Sequence, residues 1–250
     1  MSQTPLAIVL AAGKGTRMKT ELPKVLVPAL GRPLVSYVLD ALAAAGVTES
    51  IVVVGYQADL VRQTLASRPG VRFALQAEQL GTGHAVRMCL PMLASHEGPV
   101  LIVTGDSPMT QSSSLRALLD LYEQERPTCV LGTLLKDDPT GLGRIVRDEQ
   151  GNFEAIVEEK DATPEQRAIR EVNMSTYVFH GPSLVKALGE LKNDNRQGEF
   201  YITDCPGILK AYGSDVRALP VLKPCEALSV NTVDDLQRVE AELQRAACGT

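Results

Sequence analysis

No two of the five cysteines (Cys89, Cys129, Cys205, Cys225, Cys248) stand close enough to form a C-x-x-C redox pair or a zinc-ligand spacing. Their odd number, with no secretory leader, is expected of a protein in a reducing cytoplasm. No apolar run reaches the roughly 18–20 residues that a membrane-spanning helix requires, so no membrane partner is expected. An excess of positive charge is also lacking. Lys and Arg number 25 against 30 Asp and Glu, a net charge of -5, which argues against nucleic acid as the main partner. There is no internal repeat, no low-complexity tract and no composition break that demands a domain boundary. What remains is a 250-residue chain, 44% apolar and 22% charged, long enough to bury a sizeable core and ordinary for a globular enzyme.

Two familiar phosphate loops are missing as well. No glycine precedes Lys14 or Lys19 at the offset of G-x-x-x-x-G-K-[ST], with Ser or Thr following the lysine. The dinucleotide fingerprint G-x-G-x-x-G begins at Gly13 and Gly15, but Met18 stands at its third glycine, so a dehydrogenase reading is weak. What is present is Leu10-Ala11-Ala12-Gly13-Lys14-Gly15-Thr16-Arg17-Met18, then Pro23-Lys24, directly after the apolar run Leu6–Leu10. A buried strand delivers the chain into a basic glycine loop. Without a Cβ, Gly13 and Gly15 let backbone N–H groups approach phosphate oxygens. Lys14, Arg17, Lys19 and Lys24 face the single Glu21 in an otherwise acidic chain. A surface turn with solvated lysines is the plain alternative.

Strand and helix signals alternate through the first half. Strands are expected at Leu6–Leu10, Ser50–Val54, Val71–Gln76 and Val100–Val103, and helices at Leu34–Ala45, Ala58–Ala66 and, despite Pro91, Gly83–Leu93. This alternation implies βαβ units and a parallel sheet, with ligands beyond the carboxyl ends of the strands. The topology alone would bring Gly13–Lys24, Gln76–Thr82 and Gly105–Asp106 to one face. In the second half, Arg144–Val146 and Phe153–Val157 flank a turn and suggest a hairpin. Val172–Phe179 reads as a strand, and helices are expected at Pro182–Leu191, Ile202–Tyr212 and Val233–Ala246.

Several side chains carry candidate chemistry. The amides of Gln76 and Gln79 could read a pyrimidine edge, and Gly81 would admit backbone to that base, although Thr82 could simply cap a helix. His84 reads as structural. Asp106, at a strand end before Pro108, could hold Mg²⁺ or close an Asx-turn. Glu158 could accept hydrogen bonds from sugar hydroxyls or be a solvated turn residue. Asn173 could bind a sugar through its amide. Asn231 could give a metal a neutral oxygen, but taken alone it is the better candidate for a helix cap.

Together these segments resemble the sugar-1-phosphate nucleotidylyltransferases. They are most similar to the uridylyltransferase domain of the bacterial bifunctional N-acetylglucosamine-1-phosphate uridylyltransferase/glucosamine-1-phosphate acetyltransferases. Leu10–Met18 with Leu22–Leu26, Gln79–Ala85, Gly141–Val146, Ile156–Ala162 and Gln197–Asp204 carry the likeness, which spans residues 5 to 245. It implies an α/β, Rossmann-like nucleotidylyltransferase fold with a mixed, mostly parallel sheet flanked by helices. A single domain over residues 1–250 is expected, with a nucleotide-binding half over about 1–110, a sugar-binding half over about 111–230 and a C-terminal helix over about 232–246. The resemblance assigns Ala11, Ala12, Gly13, Gly15, Gln76, Gln79, Gly81 and Thr82 to the nucleotide, and Arg17 and Lys24 to catalysis. It assigns Gly143, Glu158 and Asn173 to the sugar, and Asp106 and Asn231 to Mg²⁺. The implied partners are UTP and a sugar-1-phosphate, in a monomer or dimer serving cell-envelope biosynthesis. The implied reaction needs no general base, in keeping with the lack of a persuasive catalytic histidine.

The chain departs from the family at three places. Asn173-Met174-Ser175 stands where Asn-Thr-Gly is usual, Val233 where a basic residue is common, and Thr104 where Tyr is frequent. These changes open two alternatives: a transferase for another sugar-1-phosphate and nucleotide pair, or an inactive sugar-nucleotide sensor. The hexapeptide repeats of the acetyltransferase half do not occur in this sequence, so no acetyl transfer is expected.

Overall fold

The parallel strands at the sheet's centre carry long apolar runs because both of their faces are covered. In the computed structural model, which describes residues 4–18 and 20–247, β1 (Leu6–Ala11) turns Leu6 and Ile8 to one face and Ala7, Val9 and Ala11 to the other. Lys19 and Cys248 lie outside the described residues. After β1 come a two-residue ribbon, β2 (Pro28–Ala29) and β3 (Arg32–Pro33), then α1 (Leu34–Ala44), β4 (Glu49–Val54), α2 (Ala58–Leu65) and β5 (Val71–Leu75). β4 repeats the pattern of β1, with Ile51 and Val53 on one face and Val52 and Val54 on the other. Such continuous apolar strands are the mark of a parallel sheet buried on both sides.

The expected helix over Gly83–Leu93 is two helices, α3 (Thr82–Arg87) and α4 (Leu90–Leu93). Pro91 has no N–H for the carbonyl four residues back, but it is tolerated in the first turn of a new helix. β6 (Pro99–Thr104), α5 (Ser112–Glu125) and β7 (Cys129–Leu135) follow. The hairpin is β8 (Gly143–Arg147) and β9 (Phe153–Val157). After α6 (Pro164–Arg167), the long β10 (Glu171–His180) re-enters the sheet, followed by α7 (Gly181–Glu190). The next helix, α8, covers only Asp204–Ala211, because the chain before it makes tighter three-residue turns, Asp204 N–H donating to Tyr201 O at 3.3 Å and Cys205 N–H to Ile202 O at 3.1 Å. β11 (Val216–Leu219) and α9 (Val233–Ala247) complete the chain.

The main sheet has the order β11-β7-β10-β6-β1-β4-β5, with the β8–β9 hairpin carried by β10. β10 is antiparallel to both β6 and β7, while β1, β4, β5 and β6 pair in parallel, as do β7 and β11. The fold is thus α/β with a mixed, mostly parallel sheet. Helices α1, α2 and α5 cover one face, and α3, α4, α7 and α8 the other. The chain winds outward from β1 to β4 and β5, then returns to place β6 on the other side of β1. The sheet therefore has a switch point between β1 and β6, where a crevice opens at the carboxyl ends. No helix among the described residues is long and apolar enough to cross a membrane.

Candidate active site

The loops that leave β1, β4, β5 and β6 meet above that crevice. Gly105 N–H donates to Leu10 O at 2.9 Å, and Tyr56 N–H to Ala12 O at 3.1 Å, so the strand ends are stitched to one another. Two cavities open there. One, of about 300 Å³, is lined by Ala12, Gln76, Gly81, Thr82, Asp106 and Glu199, among others. The other, of about 720 Å³, is lined by Lys14, Gly15, Arg17, Lys24, Tyr56 and Gln79, among others. Gly13, Gln79 and Glu199 border both, so the two are halves of one groove. Ala11 is buried beneath it at the end of β1.

The glycine loop is shaped by packing against its own lysine. Gly15 has φ +68°, and a Cβ there would meet Lys24 Cβ at 2.8 Å. The lysine stem thus lies across the bare face of Gly15. Its ammonium ends between two oxygens, bonded to Asn231 Oδ1 at 2.7 Å and paired with the Asp106 carboxylate. Arg17 donates to the same Asn231 Oδ1 at 3.1 Å. Four residues singled out in distant parts of the sequence therefore form one cluster. Asn231 does not cap α9, because its oxygen is engaged by the two cations. The capping falls to Thr232 and Asp235: Asp235 N–H donates to Thr232 Oγ1 at 3.2 Å, and Asp235 Oδ2 accepts from the Thr232 and Asn231 N–H groups at 2.9 and 3.1 Å. Asp235 thereby fixes the backbone of Asn231. The Thr-x-x-Asp spacing, a capping-box pattern, was the local signal for it.

At the other end of the groove, Gln76 is buried, and its Nε2 donates to Gly81 O and meets His84 Nδ1, both at 3.1 Å. The amide donors are thus spent within the protein, and Oε1 is left as the free acceptor. Gly81 takes φ +104°, and a Cβ there would meet Phe200 O at 2.5 Å. The reason is a brace: Phe200 N–H donates to Leu80 O at 2.9 Å, and Gly83 N–H to Phe200 O at 2.7 Å. Thr82 starts α3 but spends its hydroxyl on this brace, accepting from Ile202 N–H, so it is not the N-cap. The brace also sets Glu199 at the junction of the two cavities. Glu199 lies within Gln197–Asp204, one of the segments that carry the family likeness, but no local pattern marks it.

Gly143, Glu158 and Asn173 come together on the hairpin side. Asn173 pairs with Gly143 in the β10–β8 register, and a Cβ at Gly143 would lie 3.4 Å from Glu158 Oε1. Asn173 is buried, donates to Tyr177 Oη at 2.8 Å and accepts from Ser175 N–H at 3.2 Å. Ser175 takes φ +52° inside a bulge of β10, a conformation in which glycine carries no Cβ penalty. Beside these residues is a cavity of about 470 Å³ lined by Glu158, Asp161, Lys192, Asn195, Tyr201 and Asp204, among others. Burial pushes the Glu158 carboxyl above its usual range and Asp161 adds to this, against the pull of the neighbouring Thr203 hydroxyl and Arg144. Asp204 is pushed up to about 6 by burial, then by Glu158 and Asp161. Arg144, fully buried, holds the loop end through Glu159 at 2.6 Å.

The donor chemistry of Asp106 and Asn231 fits a divalent cation. Two hard oxygens already converge on one cationic atom, and Mg²⁺ commonly takes one or two protein oxygens with substrate phosphates supplying others.

Comparison with known proteins places the chain. It is 45% identical over 96% of its length to the "Bifunctional protein GlmU" of Brevibacillus brevis, covering 51% of that protein. It is 44% identical over 96% of its length to the GlmU of Exiguobacterium sibiricum, covering 53%. The chain thus spans about half the length of the curated relatives it matches. Its fold is like that of a UDP-glucose pyrophosphorylase solved with UDP-glucose, at a TM-score of 0.77, 17% identity and coverage of 98% of this chain and 100% of the other. The model of the MobA-like NTP transferase domain matches residues 7–203, from β1 through the brace, and the chain belongs to that family of nucleotidyltransferases.

Proposed function

We propose that the chain transfers a uridylyl group from UTP to a sugar-1-phosphate, with N-acetylglucosamine-1-phosphate as the first candidate, and releases pyrophosphate. One observation carries this reading: one groove joins a base-sized cavity, lined by Gln76, Gly81 and Thr82, to a cavity where Arg17 and Lys24 stand over a glycine loop, and a separate polar cavity carries Glu158. The free Oε1 of Gln76 supports uracil, whose N3–H is a donor. Cytosine offers an acceptor at that position and would meet oxygen with lone pair. The GlmU relatives and the resemblance of the sugar-side motifs support the amino sugar.

An oxygen of the sugar phosphate would attack the α-phosphorus as the bond from that phosphorus to the pyrophosphate oxygen breaks. The nucleophile is already anionic near neutral pH, so catalysis falls to in-line positioning and charge neutralisation. Gly13 and Gly15 would offer backbone N–H groups to the triphosphate. Arg17 and Lys24 would stabilise charge on the α-phosphoryl group and the departing pyrophosphate. Mg²⁺ held by Asp106 and Asn231 would neutralise the meeting phosphates. Gly143, Glu158 and Asn173 would orient the sugar. Another sugar is the second reading, favoured by Ser175 beside Asn173, where a side chain replaces the glycine hydrogen of relatives. Pyrophosphate release measured over a panel of sugar-1-phosphates with UTP, dTTP, CTP and ATP tests both. Release with UTP and N-acetylglucosamine-1-phosphate above all others is expected, and no release with any pair would refute the transferase reading.

A further inference from the structure

The ammonium of Lys24 stands where a cation bridging Asp106 and Asn231 would stand. Its Nζ is 2.7 Å from Asn231 Oδ1 and directly paired with Asp106 Oδ2. The position is sheltered, with the lysine and aspartate side chains 15% and 20% exposed. Arg17 adds a second positive group to the same Asn231 oxygen. A divalent ion cannot share these oxygens with the ammonium. The two like charges would be within a few ångströms of each other, and each acceptor would have to serve both. One of them must leave, and the lysine has somewhere to go. Its stem passes over Gly15 and lines the cavity on the phosphate side, so rotation of its outer torsions carries the ammonium into that cavity.

We infer that Lys24 holds the Asp106–Asn231 cation position in the nucleotide-free protein and yields it when a polyphosphate draws the ammonium into the neighbouring cavity. The inference rests on the nucleotidyl-transfer reading above and goes beyond it, because it sets an order of events. Free protein binds divalent cation weakly; protein with polyphosphate in the groove binds it well. By linkage the cation then raises affinity for the polyphosphate by the same factor. Lys24 thus has two successive partners, the protein's own oxygens first and the substrate's second.

The test is binding of Mn²⁺ alone, followed by its electron paramagnetic resonance signal, to the full chain without nucleotide. Lys24→Met is expected to bind Mn²⁺ at least tenfold more tightly than wild type, and Lys24→Met/Asp106→Asn is expected to lose that gain. Thermal melts check that each variant is folded, and Lys24→Gln serves as the second variant should the methionine not be accommodated. Equal or weaker Mn²⁺ binding by folded Lys24→Met and Lys24→Gln would overturn the inference, as would a gain that survives Asp106→Asn. The titration contains neither UTP nor sugar phosphate. A negative result in the substrate panel would therefore leave its outcome standing, and an unchanged Mn²⁺ affinity would remove the gate without touching the transferase reading.

Discussion

Asp204→Asn is expected to stabilise the protein at neutral pH and to lose that effect in acid. Asp204 is the first residue of α8, beside Glu158 and Asp161, with Lys192 and Tyr201 lining the same cavity. Its carboxyl is raised from 3.8 to about 6, by burial first and then by the two acidic neighbours. At 1.36 kcal/mol per pH unit, that displacement sets a ceiling of about 3 kcal/mol on the cost of holding the charge. Two effects reduce it. Asp204 keeps partial contact with solvent, which screens its neighbours. The N-terminus of α8 also favours a carboxylate by roughly 0.5 kcal/mol. A gain of about 1 kcal/mol for the neutral amide at pH 7.5 remains. The sign follows from proton binding. The folded group holds its proton to higher pH than the unfolded one, so the folded state is the better proton binder between 3.8 and about 6. Below that window both states are protonated and the charge costs nothing; the cost grows as pH rises through it and is constant above. Urea unfolding of wild type and variant at pH 4, 6 and 7.5 measures this directly. Asparagine lowering stability at pH 7.5, or a difference unchanged between pH 4 and 7.5, would refute the reasoning.

Four further outcomes follow from the same geometry. Arg17→Ala should lower kcat for UTP by about 10²–10³, the usual loss of one donor to developing charge, with the melting temperature unchanged; steady-state kinetics and a thermal melt separate the two. Gln76→Ala should raise KM for UTP about tenfold, from a lost hydrogen bond in a buried setting, and narrow the preference for UTP over CTP in competition assays. Gly81→Ala should destabilise by about 2–4 kcal/mol, since its φ of +104° and the Phe200 carbonyl 2.5 Å from an added Cβ leave no room without breaking the brace; an unchanged urea midpoint would contradict this. Ser175→Gly should stabilise by about 0.5–1 kcal/mol: relief of a left-handed serine is worth about 1–2 kcal/mol, against the greater unfolded-state entropy of glycine. A fall in melting temperature would show that the serine side chain contributes more than its backbone costs.

The groove was largely legible because its parts are local events at the ends of buried strands. β1 runs apolar to Ala11 and then breaks into glycine and positive charge; β5 and β6 break into Gln76 and Gly105-Asp106. Each break can be recognised within ten residues, and the parallel sheet brings the breaks to one side. β7 gave no such signal. Its interior holds Gly132, which reads as a breaker, yet a Cβ there would meet Leu222 and Leu118 at 3.0 and 3.1 Å, so the glycine serves close packing across the sheet face. The reversed direction of β10 was hidden for a similar reason, since antiparallel partners of β10 on both sides are set by the path of the chain around the sheet and not by its own residues.

Asn231 shows where local reading inverts the answer. Viewed with its neighbours alone, it precedes a helix and invites assignment as the cap, a role whose loss costs roughly 1 kcal/mol. The fold gives that role to Thr232 and Asp235 and turns the Asn231 oxygen toward Lys24, 207 positions away in the chain. Both arrangements satisfy the helix end. Only one leaves a neutral oxygen beside the Asp106 carboxylate, and what decides between them is the buried seam that joins α9 to the β2–β3 ribbon and α1 through Val27, Ala29, Leu34, Val230 and Val239. That seam anchors Asn231 close to the basic loop. The C-terminal helix, which carries no catalytic candidate of its own, is thus the element that completes the cation cluster.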